Sequence, residues 1–380
     1  LLTIRIVGTK PQQIILGLLL STSFISAWVS NTATAAMMVP IALAVLKVVR
    51  STREDLPIDR AEHNFGVCVL LAVAYGASLG GVLTLIGTPP NGIFARFVEQ
   101  TYNISVSFID WMLIAFPIVV VMIAATQLLM TKVLFRELVS ELPGGKDWVM
   151  HEYSKLGPMS PGEKIVLTVF VTAALLWCFG PVIRGIQIGD MTPFKPLSDT
   201  VIAMGAGIIL FIIPVDYKRG VHALDWSSAS DTVAWDVLLL FGGGLSMAAA
   251  IQKTGLADII GAQATFLSSL PEVAAISGLT TLTVFASEFT SNTALAATMM
   301  PLVAAVADSI GMHPEALLVA TTFGASLAFM MPVGTPPNAI IFGTGRIRIA
   351  EMIRAGFWLN VCGIVVVTII CSVFSVGMIP

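Results

Sequence analysis

The sequence predicts an all-α polytopic membrane protein made of two inverted repeats, each carrying a re-entrant helical hairpin and a broken helix. Three observations predict it. The chain is apolar: 56% of its 380 residues are hydrophobic and 11% charged, with a mean hydropathy of +0.90, whereas soluble domains carry about 25% charged residues. Two polar motifs occur twice in the same order. Ser30 to Pro40 (SNTATAAMMVP) returns as Ser291 to Pro301 (SNTALAATMMP), matching at eight of eleven positions, and Gly87-Thr88-Pro89-Pro90-Asn91 returns as Gly334-Thr335-Pro336-Pro337-Asn338. The charges flanking the two copies are opposite in character.

In chain order, the first repeat occupies 1–135 and holds an inner hairpin at 11–49, a broken helix at 65–98 and a spanning helix at 111–135. A cytoplasmic linker follows at 136–162. The second repeat, 163–380, holds spanning helices at 164–184, 197–215 and 235–252, an outer hairpin at 271–310, a broken helix at 315–345 and a last span at 356–378. Each run approaches the roughly 20 residues that a membrane helix needs. The hairpin arms do not: Gln12 to Val29 is about 18 residues and Ala33 to Val49 about 17, joined by a polar tripeptide with no charged loop. Two full spans with a polar joint at the far surface are the alternative. The repetition of the same residues favours half-helices meeting near the midplane, where irregular backbone must line a protein cavity. Aligning the repeats places Leu1 opposite residue 260 or so, which leads to the expectation of roughly 90 to 100 further residues before it in an intact first repeat.

Charge sets the orientation. After the first hairpin come Lys47, Arg50, Arg53 and Arg60; after the second come only Asp308, His313 and Glu315. The positive-inside rule therefore brings the first hairpin in from the cytoplasm and the second from outside. One topology then leaves sixteen of twenty basic residues inside and only Arg96, Arg184, Lys195 and Lys253 outside.

The motif chemistry follows from helix ends. A half-helix beginning after Ser30 or Ser291 points free N–H groups and a positive dipole end at the midplane, where an anion is stabilised. Ser, Asn and Thr are favoured N-caps. In Gly-Thr-Pro-Pro-Asn the prolines end one helix and suit the first turn of the next, with Thr88 and Thr335 as caps. Gly87 and Gly334 leave carbonyls exposed, and these with Ser, Thr and Asn oxygens are hard ligands suited to Na+. Two such sets predict two cation sites flanking one anion site. No Arg or Lys stands near either tip, so co-bound cations and helix dipoles must balance a dianion.

Several classes are excluded or set aside. The basic residues form no stripe for nucleic acid. Cys68, Cys178, Cys362 and Cys371 lie in apolar runs and read as packing thiols, with no zinc spacing. His63, His151, His222 and His313 fall in expected loops, leaving no base at depth for a hydrolase. A channel would need polar lining along its length rather than two symmetric breaks. Gly242-Gly243-Gly244 lacks the Lys-Ser/Thr of a phosphate loop and reads as close helix packing. Glu288, an acid inside a hairpin, reads as a protonated or hydrogen-bonded brace ahead of a proton carrier.

The paired Ser-Asn-Thr and Gly-Thr-Pro-Pro-Asn motifs, with Phe241-Gly242-Gly243-Gly244 and the Glu288 context, resemble the divalent anion/sodium symporter (DASS) family over nearly the whole chain. The resemblance implies a multi-pass transporter of the plasma (inner) membrane, not an enzyme, moving C4-dicarboxylates such as succinate, malate or fumarate with Na+. Exchange, proton coupling, or sulfate or citrate as cargo remain alternatives on the same scaffold. It implies a homodimer working as an elevator in the lipid bilayer. Transferred residue by residue, one Na+ site uses Ser26, Ser30, Asn31 and Gly87, and its mate uses Ser287, Thr290, Asn292 and Gly334. Thr290 and Gly334 stand where the family pattern has Ala. Substrate would meet Ser30, Asn31, Thr32, Thr88 and Pro89 from one repeat and Ser291, Asn292, Thr293, Thr335 and Pro336 from the other.

Overall fold

The computed structural model describes residues 8, 10–51, 57–139, 154, 157–233, 235–256, 259 and 270–373. Most of the expected linker, together with Arg5, Arg53, Lys146, Lys155, His151 and the end of the last span after 373, lies outside the described residues. The helices, in order, are α1 (Pro11–Ser26), α2 (Asn31–Ser51), α3 (Arg60–Val82), α4 (Pro89–Tyr102), α5 (Phe108–Leu128), α6 (Pro161–Cys178), α7 (Gly180–Arg184), α8 (Asp199–Ile212), α9 (Trp226–Thr232), α10 (Trp235–Lys253), α11 (Glu272–Ser287), α12 (Asn292–Ile310), α13 (Pro314–Ser326), α14 (Pro336–Gly343) and α15 (Ile349–Val373). Six helices among the described residues are long and apolar enough to cross a membrane.

Local chemistry sets the element ends. Asp59 caps α3 by accepting from Glu62 N at 2.8 Å, and Ser160 with Glu163 forms a reciprocal capping box at the start of α6. Such caps satisfy N–H groups that the helix itself cannot. Left-handed residues stop α4 at Asn103 (φ 58°) and α12 at Gly311 (φ 69°). Pro40 and Pro301 sit at matching places inside α2 and α12. Each removes one helical hydrogen bond.

The centre of the molecule is α3, buried along nearly its whole length from Asn64 to Val82. Glycines let its neighbours approach: a β-carbon at Gly80 would run into the backbone of Ser23 on α1, and one at Gly356 of α15 into Phe329 O. Small residues at such crossings are how apolar helices pack without a hydrophobic driving force. The two halves also interlock. The second hairpin arm of each half, α2 or α12, packs on the helix after the break in the other half, α14 or α4 respectively. By contrast little of α6 is buried, and it joins α8 through a separate small cluster of Phe108, Ala173, Trp177 and Ile202.

Several expectations need correction. The span at 164–184 breaks at Phe179 into α6 and α7, because Gly180-Pro181 starts a new turn. The span at 197–215 ends at Ile212 and runs into a two-stranded hairpin, Pro214–Asp216 paired antiparallel with Val221–His222, so the described chain is not purely helical. The end of α5 continues as a π-turn, Leu129–Leu134. His63 is not in a loop, since the Asp59 cap starts α3 ahead of it, and its Nε2 lies 2.6 Å from Glu351 Oε1 on α15. Of the three glycines on α10, only Gly244 is at a close crossing, where a β-carbon would stand 2.6 Å from Ala297 Cβ. Gly242 and Gly243 face open space.

Candidate substrate and cation site

The two hairpin tips and the two helix breaks meet at one cavity of about 800 Å³. Its walls carry Ser30, Asn31, Thr32, Gly87, Thr88 and Pro89 from the first half, and Thr290, Ser291, Asn292, Thr293, Gly334, Thr335 and Pro336 from the second. These are the starts of α2, α4, α12 and α14, so four helix N-termini face one space. Among the described residues, none that lines the cavity is ionisable. The dipoles of the four helix starts direct a positive field into the cavity, which suits an anion.

The four helix starts do not contribute alike. The starts of α4 and α14 are Pro-Pro, so their first two positions have no N–H to offer. The hydroxyls of Thr88 and Thr335 stand in for them, both side chains nearly buried at 4% and 3% exposure. Thr335 accepts from Asn338 N at 3.3 Å as a cap does. Thr88 occupies the same position but makes no side-chain cap bond, which corrects its expected role and leaves its hydroxyl uncommitted. The direct backbone donors come from the starts of α2 and α12, where Ser30 Oγ and Ser291 Oγ accept only long bonds, from Ala33 N at 3.4 Å and Ala294 N at 3.5 Å.

Below each tip lies a matching cluster of oxygens. Ser26 Oγ stands 2.8 Å from Asn31 Oδ1 and 2.7 Å from Ala77 O. Ser287 Oγ stands 2.7 Å from Asn292 Oδ1 and 2.6 Å from Ala325 O. Each hydroxyl has one proton for two oxygen acceptors. Each cluster is therefore rich in oxygen lone pairs, the ligand type that a hard cation such as Na+ takes. Ser26 and Ser287 are fully buried and do not line the cavity; they sit one layer behind Asn31 and Asn292. Thr290, which lines the cavity, donates its proton back to Ala286 O at 2.9 Å, so its hydroxyl oxygen remains free to accept.

The broken helices are held by their own motif. Asn91 Nδ2 donates to Gly81 O, Val82 O and Thr84 O at 3.1, 3.2 and 2.7 Å. Asn338 Nδ2 donates to Ala328 O and Met331 O at 3.2 and 3.0 Å. The last residue of each Gly-Thr-Pro-Pro-Asn thus closes carbonyls at the break, those of the last turn of α3 and of Thr84 in the first half and those of the non-helical Ala328 and Met331 in the second. Gly87 packs so closely on Gly81 that a β-carbon would collide with Gly81 O.

Sequence reasoning missed both asparagines' role, the carbonyls of Ala77 and Ala325, and the apolar lining by Val237, Phe289, Pro332, Val333 and Ala339. The asparagines carried a signal, being the invariant end of a repeated motif in this chain. The carbonyls carried none. Glu288 is a brace: its carboxylate accepts from the N–H groups of Phe329, Met330 and Met331 and from Asn360 Nδ2.

Comparison with known proteins gives a consistent result. The family model of the sodium:sulfate symporter transmembrane region matches residues 1–379. The sodium-dependent dicarboxylate transporters SdcS of Staphylococcus saprophyticus and of Staphylococcus aureus (strain USA300) are each 36% identical over 368 residues, covering 97% of this chain and 70% of theirs. A crystal structure of the Alcanivorax borkumensis YdaH transporter superposes with a TM-score of 0.60 at 13% identity, covering 97% of this chain and 79% of that one. That likeness is one of fold.

Proposed function

The chain belongs to the sodium:sulfate symporter family of transmembrane proteins, and from that premise we propose that it is a secondary active transporter that takes up C4-dicarboxylates such as succinate, malate or fumarate together with Na+. It is a multi-pass membrane transporter and not an enzyme. The observation that carries the proposal is the uncharged cavity at four helix N-termini, backed by two repeat-related oxygen clusters. A dianion between two cations needs no Lys or Arg, and none lines the cavity among the described residues.

In this reading the dianion is held by Ser30, Asn31, Thr32 and Thr88 against Pro89, and by Ser291, Asn292, Thr293 and Thr335 against Pro336. At least two Na+ ions bind, one at Ser26, Ser30, Asn31 and the Gly87 backbone, the other at Ser287, Thr290, Asn292 and the Gly334 backbone. The repeats 1–135 and 163–380 are inverted across the linker 136–162, with re-entrant hairpins entering from opposite sides of the plasma membrane. The reciprocal packing of α2 on α14 and α4 on α12 supports this, since a pseudo-twofold axis in the membrane plane relates such pairs. The hairpins and broken helices form a unit that carries the site across, elevator fashion. The exposed apolar side chains of α6 and α8, including Val166, Leu167, Val171, Leu175, Met204, Ile208 and Ile209, fit a scaffold facing lipid and a second copy.

The test is uptake of radiolabelled succinate into proteoliposomes with and without an inward Na+ gradient, with malate, fumarate, citrate and sulfate as competitors. Gradient-driven uptake inhibited by the C4 acids is expected. Uptake that requires preloaded internal dicarboxylate and ignores Na+ would replace symport by exchange. Inhibition by sulfate or citrate alone would replace the cargo.

A further inference from the structure

The two oxygen clusters are alike, but what stands behind them is not. In the motif alignment Ser26 pairs with Ser287, so the partner of Glu288 in the first repeat is Ala27. Glu288 is 1% exposed. Its Oε1 accepts from Phe329 N at 2.8 Å, Met330 N at 2.9 Å and Asn360 Nδ2 at 2.6 Å, and its Oε2 from Met330 N at 3.1 Å and Met331 N at 2.8 Å. A carboxylate has about four lone-pair sites, so these bonds saturate it and leave nothing to coordinate a metal.

Every one of those donors is neutral. Three successive N–H groups make an anion-binding concavity, which holds the carboxylate without cancelling its charge. Among the described residues no Lys, Arg or His pairs with it. The carboxylate lies directly behind the cavity wall: a β-carbon at Gly334 would stand 3.1 Å from Glu288 Oε2. The first half solves the same corner differently. There α3 runs on to Val82, and the Ala27 carbonyl accepts from the Thr84 hydroxyl. In the second half α13 stops at Ser326, and 327–335 has no helix. Glu288 takes the N–H groups that this early stop frees.

We propose that Glu288 is a positioning residue that makes the two cation sites unequal, its uncompensated charge behind Gly334 drawing the first Na+ to the set of Ser287, Thr290, Asn292 and Gly334. The set in the first half, backed by Ala27, fills second. Glu288 acts through its field, with Gly334 between it and the ion. This rests on the reading of the two oxygen sets as Na+ sites.

The experiment measures succinate uptake against Na+ concentration, and equilibrium binding of radioactive sodium, for the purified transporter and its E288Q, E288D and N360A forms. In E288Q the Na+ concentration for half-maximal uptake rises about tenfold or more, because the charge behind Gly334 is gone. The succinate KM at saturating Na+ stays within about twofold, the split that separates a cation effect from a general loss. E288D, which keeps the charge, and N360A, which removes a donor but leaves the charge, hold the Na+ dependence within about threefold while losing thermal stability. A purely structural brace would move E288D and E288Q alike, since Asp draws the carboxylate back from the N–H groups of 329–331 and Gln turns an amide NH2 toward them; that result overturns the proposal, as does wild-type Na+ dependence in E288Q.

A second pair of variants needs no change at Glu288. With the order proposed, S287A weakens the tighter of two Na+ binding steps and S26A the weaker one; the reverse assignment overturns it. Wild-type uptake indifferent to Na+ would instead remove the underlying reading of the cation sites.

Discussion

Ser287 Oγ stands 2.7 Å from Asn292 Oδ1 across the second hairpin tip, repeating within 0.1 Å the 2.8 Å separation of Ser26 Oγ and Asn31 Oδ1 in the first. Each serine also reaches a carbonyl of the helix that breaks beside it, Ala325 or Ala77. The hydroxyl thus ties hairpin to broken helix, and it does so with more acceptors than protons. Removing it should be felt first by the cation. We expect Ser26→Ala and Ser287→Ala each to raise the Na+ concentration for half-maximal uptake about fivefold or more, with stability lowered by about 1–3 kcal/mol through the carbonyl left unpaired. Na+ titrations of uptake and thermal unfolding in detergent check the two parts.

Thr88 and Thr335 supply the donors that the prolines after them lack. Thr88→Ala and Thr335→Ala should raise the KM for succinate about tenfold each, the worth of one hydrogen bond to a charged group. Thr335→Ala should also cost about 1 kcal/mol of stability, since Thr335 caps α14 and Thr88 makes no such bond to α4. Initial uptake rates across succinate concentrations, with melting curves, separate the effects.

Asn91 closes three carbonyls with one amide. Asn91→Ala should destabilise the fold by about 2–4 kcal/mol by leaving buried acceptors unsatisfied. Asn91→Asp should be worse than Ala, because it turns an acceptor and a charge toward those carbonyls. Asn338→Ala follows the same direction. The yield of folded protein by size-exclusion chromatography and its melting temperature are the readouts.

The glycines divide into two groups that one mutation type can distinguish. Gly80→Ala and Gly356→Ala place a β-carbon inside backbone atoms of a neighbouring helix, and each should cost about 1–3 kcal/mol or abolish folding. Gly243→Ala meets open space, and in mid-helix it should be neutral or stabilising by up to about 1 kcal/mol. Thermal unfolding of the three variants decides; equal effects would show that Gly243 lies at a close helix crossing.

The hairpins, the broken helices and most of the cavity lining were legible because their signals are written in side chains. Ser-Asn-Thr and Gly-Thr-Pro-Pro-Asn combine N-caps, helix breakers and repetition, and each of those has a residue-level signature. The break at Phe179, the strand pair at 214–222 and the pairing of His63 with Glu351 were not legible. The first depends on Gly180-Pro181 restarting a helix within an apolar run, and the others depend on which elements come to lie side by side.

What the amino-acid sequence determined by itself is the solvent, the duplication and the chemistry of the motifs. Apolar runs of membrane length, polar interruptions at matching places and the absence of charge at both tips all follow from residue identity. Only the tertiary structure decided that four helix starts from both halves share one cavity, that Ala77 and Ala325 lend their carbonyls, and that Glu288 stands behind one half of the site and not the other. The reason is physical. Backbone carbonyls and N–H groups belong to every residue alike, so which of them is left unpaired, and beside what, is set by where helices stop and which helices meet.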